Sequence, residues 1–180
     1  MANAQYIEIK IESFARLTGC DLNHFTDHVM RGDSWGTFMK LATLIEASAK
    51  RAVALKLGVD PASEGAMRIE FYCALLLCKE AKLISEEAFA YANYIRHVRN
   101  DMVHSGTTLD LDVGRLRGSD FFKKYQAKIE EFVSIQDAKI MDGLQQHLNT
   151  LFLGCVAFVS QLAKALLGEE WVVPAPEKPA

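Results

Sequence analysis

An apolar stripe in the last third of the chain constrains the fold more than any other feature of the sequence. Between about Asp137 and Leu167, apolar residues recur at intervals of three and four, which is the period of an α-helix. A helix with one apolar side has to bury that side against other elements of the fold. The sequence therefore predicts a long helix in a helical bundle, with eight residues in its buried stripe: Ile140, Leu144, Leu148, Leu151, Cys155, Val159, Leu162 and Leu166.

The same period recurs through most of the chain and predicts further helices. Gly58 and Pro61 mark the end of one of them, because glycine accepts the left-handed turn after a helix and proline cannot continue one. Ser85 is placed to cap another, with acidic residues in its first turn. We therefore predict an all-α fold, a bundle of about five to seven helices, the clearest of them at about Trp35–Leu57, Ser63–Lys82, Glu86–His104 and Phe121–Val133, with short ones on either side of Gly19.

Length and composition indicate one globular domain. The chain has 180 residues, of which 50% are hydrophobic and 24% charged, so it is long and apolar enough to bury a core of its own. We assign residues 1–171 to a single helical domain with one long irregular segment at about 105–120. Residues 172–180 hold three of the four prolines and are expected to form a disordered tail.

The net charge bears on whether the protein binds nucleic acid, and the N-terminal residues bear on its cellular compartment. A formal net charge of −3 gives no support to a protein that coats nucleic acid through bulk charge, although it leaves room for a local basic patch. The first ten residues lack the basic-then-apolar pattern of an export signal, so we expect a cytoplasmic protein. The apolar run at 151–159 is much shorter than the ~20 residues that span a bilayer, and no membrane segment is expected.

The cysteine pattern agrees with a reducing compartment. The four cysteines form no CxxC pair, and reduced thiols are expected. Cys73, Cys78 and Cys155 lie in apolar helical patterns, where a free cysteine behaves as a small hydrophobic residue. We therefore expect these three side chains to pack in the core.

Neither a metal site nor a cofactor site is predicted. His24 and His28 have the spacing with which two histidines on one helix share a metal, and Asp21 and Asp27 lie near them. No HExxH pattern and no third distant ligand accompany them. The chain also lacks the GxxxxGK[ST] loop that cradles phosphates and the GxSxG turn of serine hydrolases.

The helix predicted at Glu86–His104 separates apolar from polar residues. At about 100° per residue, one side gathers an apolar set that is expected to be buried: Tyr91, Tyr94, Ile95, Val98 and Met102. The opposite side carries a set that we call the polar row: Asn93, His97, Asn100 and His104, flanked by Arg96 and Arg99.

The residue types of the polar row suit chemistry centred on phosphate. Arginine offers a planar fork of donors that matches phosphate oxygens. Histidine exchanges protons near neutral pH, and asparagine can orient either partner. Cleavage of RNA by its own 2′-hydroxyl uses such groups and needs no metal. The same residues also fit a solvated helix side with a histidine near the negative end of the helix dipole, and the spacing leaves both interpretations open.

Arg99, Asn100 and His104 end this helix in the pattern Arg, four residues, His, with a polar residue directly after the Arg. The turn Lys82-Leu83-Ile84-Ser85-Glu86 precedes the helix. This combination resembles the HEPN superfamily (higher eukaryote and prokaryote nucleotide-binding domains), whose hallmark is Arg, four to six residues, and then His. The layout over residues 35–167 is also similar to the mannitol operon repressor family of that fold.

The resemblance implies one of two function classes. Both imply a homodimer in which the motif helices of two copies form one composite cleft. Active members of the superfamily are metal-independent endoribonucleases, often in toxin–antitoxin or defence systems. In that class Arg99 would steady the scissile phosphate, His104 would transfer protons and Asn100 would orient them, with His97, Asn93 and Arg96 in support. Repressor-like members are non-catalytic transcriptional or interaction regulators. An antitoxin is a further partner that the toxin class implies, and a regulatory protein is one that the repressor-like class implies.

A basic cluster follows the motif. Residues of this kind make most phosphate contacts to nucleic acids, so the cluster could guide RNA to the cleft. More commonly such a cluster is a solvated surface. Its members are Arg115, Arg117, Lys123, Lys124 and Lys128, with Asp120 as the one acidic residue among them.

Overall fold

The computed structural model of the chain describes residues 11–30, 33–104, 120–132 and 144–168. Within these ranges every regular element is an α-helix, and eight helices follow one another along the chain. The all-α prediction is confirmed. The helices are α1 (Ile11–Thr18), α2 (Leu22–Met30), α3 (Ser34–Lys56), α4 (Glu64–Met67), α5 (Phe71–Glu80), α6 (Glu86–His104), α7 (Asp120–Phe132) and α8 (Leu144–Leu167).

Two predicted segments lie outside the described residues. These are the proline-rich tail at 172–180 and the irregular segment at about 105–120, of which only Asp120 is described, as the first residue of α7. The assignment of residues 1–171 to one domain stays a prediction.

One segment that was predicted as a single helix, Ser63–Lys82, forms two helices, α4 and α5. Each of the two has a capped first turn. The Ser63 hydroxyl accepts a hydrogen bond from the backbone N–H of Ala66 (3.3 Å), and the Glu70 carboxylate accepts one from the N–H of Cys73 (2.9 Å). Ser63 and Glu70 both have the extended backbone of an N-cap residue. The prediction was wrong because the apolar spacing continues across the break.

The central helix of the bundle is α3. It packs against α1, α2, α4, α5, α6 and α8, whereas α7 packs against α6. Phe38, Leu41, Ile45 and Ala49 on α3 are completely buried. A helix that is covered on several sides needs apolar residues around most of its circumference, and the sequence of α3 provides them.

The stripe predicted for the last helix lies in the core. Five of its members, Leu148, Leu151, Cys155, Val159 and Leu162, are buried against the bundle, where α8 packs on α3 and α1. Leu166 is partly buried at the edge of the same core. Ile140, the predicted helix start near Asp137 and the side chain of Leu144 lie outside what the structure describes.

The same helix also satisfies the length and composition of a membrane span between Leu148 and Leu167, with a mean hydropathy of 1.8. The uninterrupted apolar run at 151–159 is too short for a membrane span, but the helical window that contains it is long enough. In this fold 56% of that window is buried inside the protein. A core helix of a soluble protein passes the same test, so this property alone does not assign α8 to a membrane.

Two helices end in the same hydrogen-bonded turn, in which the N–H groups after the helix bond back to its last carbonyls. After α3, Gly58 N–H donates to Leu55 and Val59 N–H donates to Ala54 (3.1 and 2.9 Å). Gly58 has φ +70°, as the predicted stop required. After α5, the equivalent position is Lys82, whose φ is +56°.

The turn at Lys82 is held by its neighbours. Lys82 N–H donates to Lys79 and Leu83 N–H donates to Cys78 (2.9 and 2.8 Å). Leu83 and Ile84 are buried directly after it, which keeps the turn tight although the left-handed region disfavours a side chain. The structure therefore carries a strained lysine where α5 leads into α6.

We expect Lys82→Gly to raise the free energy of unfolding by about 0.5–1 kcal/mol, because glycine removes the steric cost of the positive φ. The Lys82 side chain is exposed, so little packing is lost. The matched control is Gly58→Ala at the equivalent turn, which should lower stability by about 1 kcal/mol. Urea denaturation of both variants measures the effect, and a destabilised Lys82→Gly protein would contradict it.

Truncation of the α8 stripe should be costly. Leu151 is 2% exposed and Leu153, two residues further on, is 54% exposed. Leu151→Ala should lower the free energy of unfolding by about 2–5 kcal/mol, because it removes core contacts and leaves a cavity. Leu153→Ala should change it by less than about 0.5 kcal/mol. Equal urea midpoints for the two variants would show that the stripe is not in the core.

Candidate functional site

The helix that carries the polar row begins where the sequence predicts. The Ser85 hydroxyl accepts a hydrogen bond from the N–H of Ala88 (3.2 Å), and Glu86 and Glu87 lie in the first turn, near the positive end of the helix dipole. The Ser85 N–H donates to the side-chain oxygen of Gln161 on α8 (2.9 Å). This last contact joins the start of α6 to the core helix.

The apolar side of α6 is buried as predicted. Tyr91, Tyr94, Ile95, Val98 and Met102 are all at most 6% exposed. The Tyr91 hydroxyl donates to the backbone carbonyl of Leu151 on α8. Burial raises the pKa of the Tyr91 hydroxyl well above its ordinary value, so it stays protonated and able to donate. Because the apolar side of α6 is fixed against the core, the polar row on its other side points in a fixed direction.

The side chain of Arg96 is held by three neighbours. Its Nε donates to the Oδ1 of Asn93 (2.8 Å), and its Nη2 lies 3.1 Å from the Nε2 of His97. Its Cζ lies 4.9 Å from the ring centroid of Tyr72 on α5, a cation–π distance. Two members of the predicted polar row thus serve to orient a third side chain.

Asn93 differs from the prediction of a solvated polar row, because it is only 6% exposed. A buried amide needs a hydrogen-bond partner, and Arg96 supplies one. The helical wheel could not show this, because burial on the polar side depends on what packs over α6.

His97 is held as a neutral imidazole. Desolvation lowers its pKa below the ordinary value of 6.5, and the charge of Arg96 lowers it further, against a smaller opposite effect of Asp101. Because a guanidinium group only donates, the Nε2 of His97 must accept, and its proton must be on Nδ1. His97 therefore adds no positive charge at neutral pH.

Arg99, the motif arginine, forms an ion pair across to the central helix. Its Nη1 lies 3.1 Å from the Oε2 of Glu46 on α3. The other Glu46 oxygen lies 2.7 Å from the Nζ of Lys50, which also donates to the backbone carbonyl of Met67 on α4 (3.0 Å). The Nε of Arg99 is buried with no hydrogen-bond partner among the described residues. Sequence reasoning missed Glu46, because no local pattern pairs it with a residue on α6.

The motif residues do not all lie on one side of α6. Arg99 and His104 are roughly 140° apart around the helix axis, whereas Asn100 and His104 are separated by only about 40°. Asn100 is half-buried and His104 is exposed. Within one copy of the chain, α6 thus brings Asn100 and His104 together and turns Arg99 towards α3.

The basic cluster is described only in part, because Arg115 and Arg117 lie outside the described residues. Lys123 and Lys124 are exposed on α7, the helix that packs beside α6. The Nζ of Lys123 lies 3.8 Å from Asp120, and that of Lys124 lies 5.2 Å from the ring centroid of its neighbour Tyr125. The partners of these two lysines, Asp120 and Tyr125, lie on α7 and not in the polar row.

Asp21, one of the two acidic residues near His24 and His28 in the sequence, has a structural role. The Asp21 carboxylate accepts a hydrogen bond from the N–H of His24 (2.9 Å) and so caps α2. Within the described part of the chain, no group of three His, Cys, Asp or Glu residues is arranged to hold a metal ion.

The cysteines of the described chain are free thiols, and two of them are core residues as predicted. Burial raises the pKa of Cys78 to about 12 and that of Cys155 still further, so neither thiol ionises at neutral pH. Cys73 is exposed, and the prediction that it packs in the core was wrong. It lies on the outer side of α5 between the core residues Phe71 and Ala74.

Comparison with models of known protein families, with curated proteins and with solved structures finds no match to this chain. The resemblance to the HEPN superfamily therefore rests on sequence features alone: the motif Arg99, Asn100 and His104, the turn at 82–86 before it, and the layout over residues 35–167. A function has to be argued from the contacts of α6.

The lowered pKa of His97 predicts acid sensitivity. Below about pH 6.5 the unfolded chain binds a proton at His97 before the folded protein does, so stability present above that pH is lost as the pH falls. His97→Gln, which keeps an acceptor for Arg96, should flatten the melting temperature between about pH 7 and 5.5. The control is His24→Gln at an exposed position on α2. Parallel curves for the parent and His97→Gln would contradict the assignment.

Proposed function

We propose that this protein is a HEPN-type, metal-independent endoribonuclease that acts on RNA as a toxin or defence component in the cytoplasm. The observation that carries the proposal is the side of α6 that presents Asn100 and exposed His104, with the oriented guanidinium of Arg96 further along the same helix. Rigid donors that are already in place lower the cost of binding a developing anion.

The reaction is cleavage of RNA by its own 2′-hydroxyl. His104 takes the proton of that hydroxyl as its oxygen attacks the adjacent phosphorus, and the bond to the 5′-oxygen of the next nucleotide breaks. The leaving oxygen receives a proton from an imidazolium, which the His104 of a second copy supplies. Asn100 orients these groups. Arg99 steadies the scissile phosphate, which it can reach because 31% of the Arg99 side chain is exposed. Glu46 holds the Arg99 side chain in position.

A homodimer is part of the proposal, because one copy carries one motif histidine and separates it from the motif arginine. Val103, beside His104, is 55% exposed, and Tyr72 next to Arg96 is 36% exposed. Apolar side chains of this kind bordering a polar site support contact with a second copy. The composite cleft would then hold both histidines.

The second candidate function is a non-catalytic regulator that resembles the mannitol operon repressor family and binds a regulatory protein partner. The ion pair between Arg99 and Glu46 favours it, because it gives the motif arginine a purely structural use. Under this candidate the motif holds α6 against α3, and its loss affects stability only.

We expect His104→Ala to lower RNA cleavage by roughly 10²–10⁴-fold, because it removes the group that transfers the proton. Its melting temperature should match that of the parent, since His104 is exposed. Cleavage should persist in EDTA, because the mechanism uses no metal. His24→Ala, an exposed histidine outside the site, is the control for nonspecific effects.

Two outcomes separate the candidates. If the parent cleaves no member of a broad RNA panel while Arg99→Ala and His104→Ala are both destabilised, the ribonuclease proposal fails. Loss of cleavage at unchanged stability in His104→Ala excludes the regulator.

A further inference from the structure

We propose that Arg96, held by Asn93, His97 and Tyr72, forms a binding site for a backbone phosphate of single-stranded RNA that flanks the phosphate cleaved at His104. The inference rests on the proposed function and adds a substrate contact to it. It concerns a different arginine from the one in the motif.

The two guanidinium groups on α6 differ in the charge of their partners. Arg99 lies against the carboxylate of Glu46, which it shares with Lys50, so its charge is partly offset within the protein. Arg96 contacts an amide oxygen, an imidazole nitrogen and an aromatic ring, all of them neutral. Within the described residues no carboxylate forms an ion pair with Arg96. Of these two groups, Arg96 is therefore the one without a carboxylate against it in the described part of the chain.

Glu70 is an acidic residue that feels the charge of Arg96. The charge of Arg96 contributes to the lowered pKa of that carboxyl, after a larger opposing effect of desolvation and the hydrogen bonds from the start of α5. The Glu70 oxygen accepts from the N–H of Cys73 (2.9 Å) and caps α5. Glu70 is thus engaged at the helix start and does not pair with Arg96.

The contacts of Arg96 also fix its orientation before any ligand binds. A guanidinium group has about five N–H donors, and the two contacts to Asn93 and His97 use two of them. The Tyr72 ring supports the Cζ at 4.9 Å. The remaining donors can form the paired hydrogen bonds that arginine makes with phosphate oxygens. A preoriented fork binds with less loss of side-chain entropy than a mobile surface lysine.

Helix geometry makes this phosphate a neighbour of the one that is cleaved. Arg96 and His104 are eight positions apart, so their Cα atoms are separated by roughly 12 Å along the axis and about 80° around it. That separation is too long for one phosphate to contact both side chains. RNA that follows the exposed side of α6 past Asn100 would bring a flanking phosphate to Arg96.

The test is binding of fluorescein-labelled single-stranded RNA of about ten nucleotides, measured by anisotropy over a salt series. His104→Ala serves as the background, so that the RNA is not cut. Adding Arg96→Met should lower affinity about tenfold and reduce the slope of log Kobs against log salt by about 0.7, the value for one lost phosphate contact on a single strand. A structural role for Arg96 would leave the slope unchanged.

Matched variants remove the alternative explanations. Arg16→Met removes one exposed positive charge on α1, away from α6, and should leave the affinity nearly unchanged. Arg96→Lys keeps the charge without the fork, and should retain the slope with weaker affinity. If Arg96→Met does not fold, Arg96→Lys and Tyr72→Leu provide the comparison, and both should weaken binding.

The outcomes separate failure of the Arg96 site from failure of the proposed ribonuclease function. If the parent cuts RNA but Arg96→Met and Arg16→Met bind equally, the Arg96 site is excluded and the ribonuclease stands. Equal competition by polyglutamate and by unlabelled RNA would point to an acidic protein partner and overturn the assignment. If the parent neither binds nor cuts RNA, both proposals fail together.

Discussion

Burial of α3 among six other helices is the constraint on which the rest of the structure depends. Polar groups on such a helix need partners inside the bundle. The Ser48 hydroxyl donates to a carbonyl of its own helix. The thiols of Cys78 and Cys155 donate to carbonyls of α3, those of Ala49 (3.6 Å) and Leu41 (3.9 Å). Small side chains and weak donors thus allow neighbouring helices to lie close to α3.

Glu46 is the one acidic residue on this central helix, and its ion pair with Arg99 acts together with the buried apolar side of α6 in fixing how α6 is turned. Lys50 and Arg99 both form ion pairs with the half-buried carboxylate of Glu46. Removal of these partners would leave an uncompensated charge inside the bundle. Once Arg99 faces α3, the helical repeat directs Asn100 and His104 away from Glu46. The rotation of α6 that buries its apolar side and pairs Arg99 with Glu46 therefore also leaves His104 exposed.

Features that depend on neighbouring residues in the chain could be predicted from the sequence. The apolar side of α6, its cap at Ser85 and the stop at Gly58 follow from spacing and from backbone preferences within one helix. The break before Glu70 could not be predicted, because a carboxylate cap interrupts an otherwise continuous apolar pattern. The positive φ of Lys82 could not be predicted either, because it is maintained by burial of the residues that follow it.

The candidate site shows the same division between local and long-range information. Helical periodicity placed Asn93, His97 and Arg96 on one side of α6, and the structure joins them by hydrogen bonds. It could not reveal Tyr72 or Glu46, because each lies on another helix and meets α6 only through the packing of the bundle. Those two residues decide the electrostatic state of the arginines. An aromatic ring supports Arg96 and leaves its charge available, whereas a carboxylate offsets the charge of Arg99. Two arginines on one helix are therefore given different surroundings by their tertiary partners.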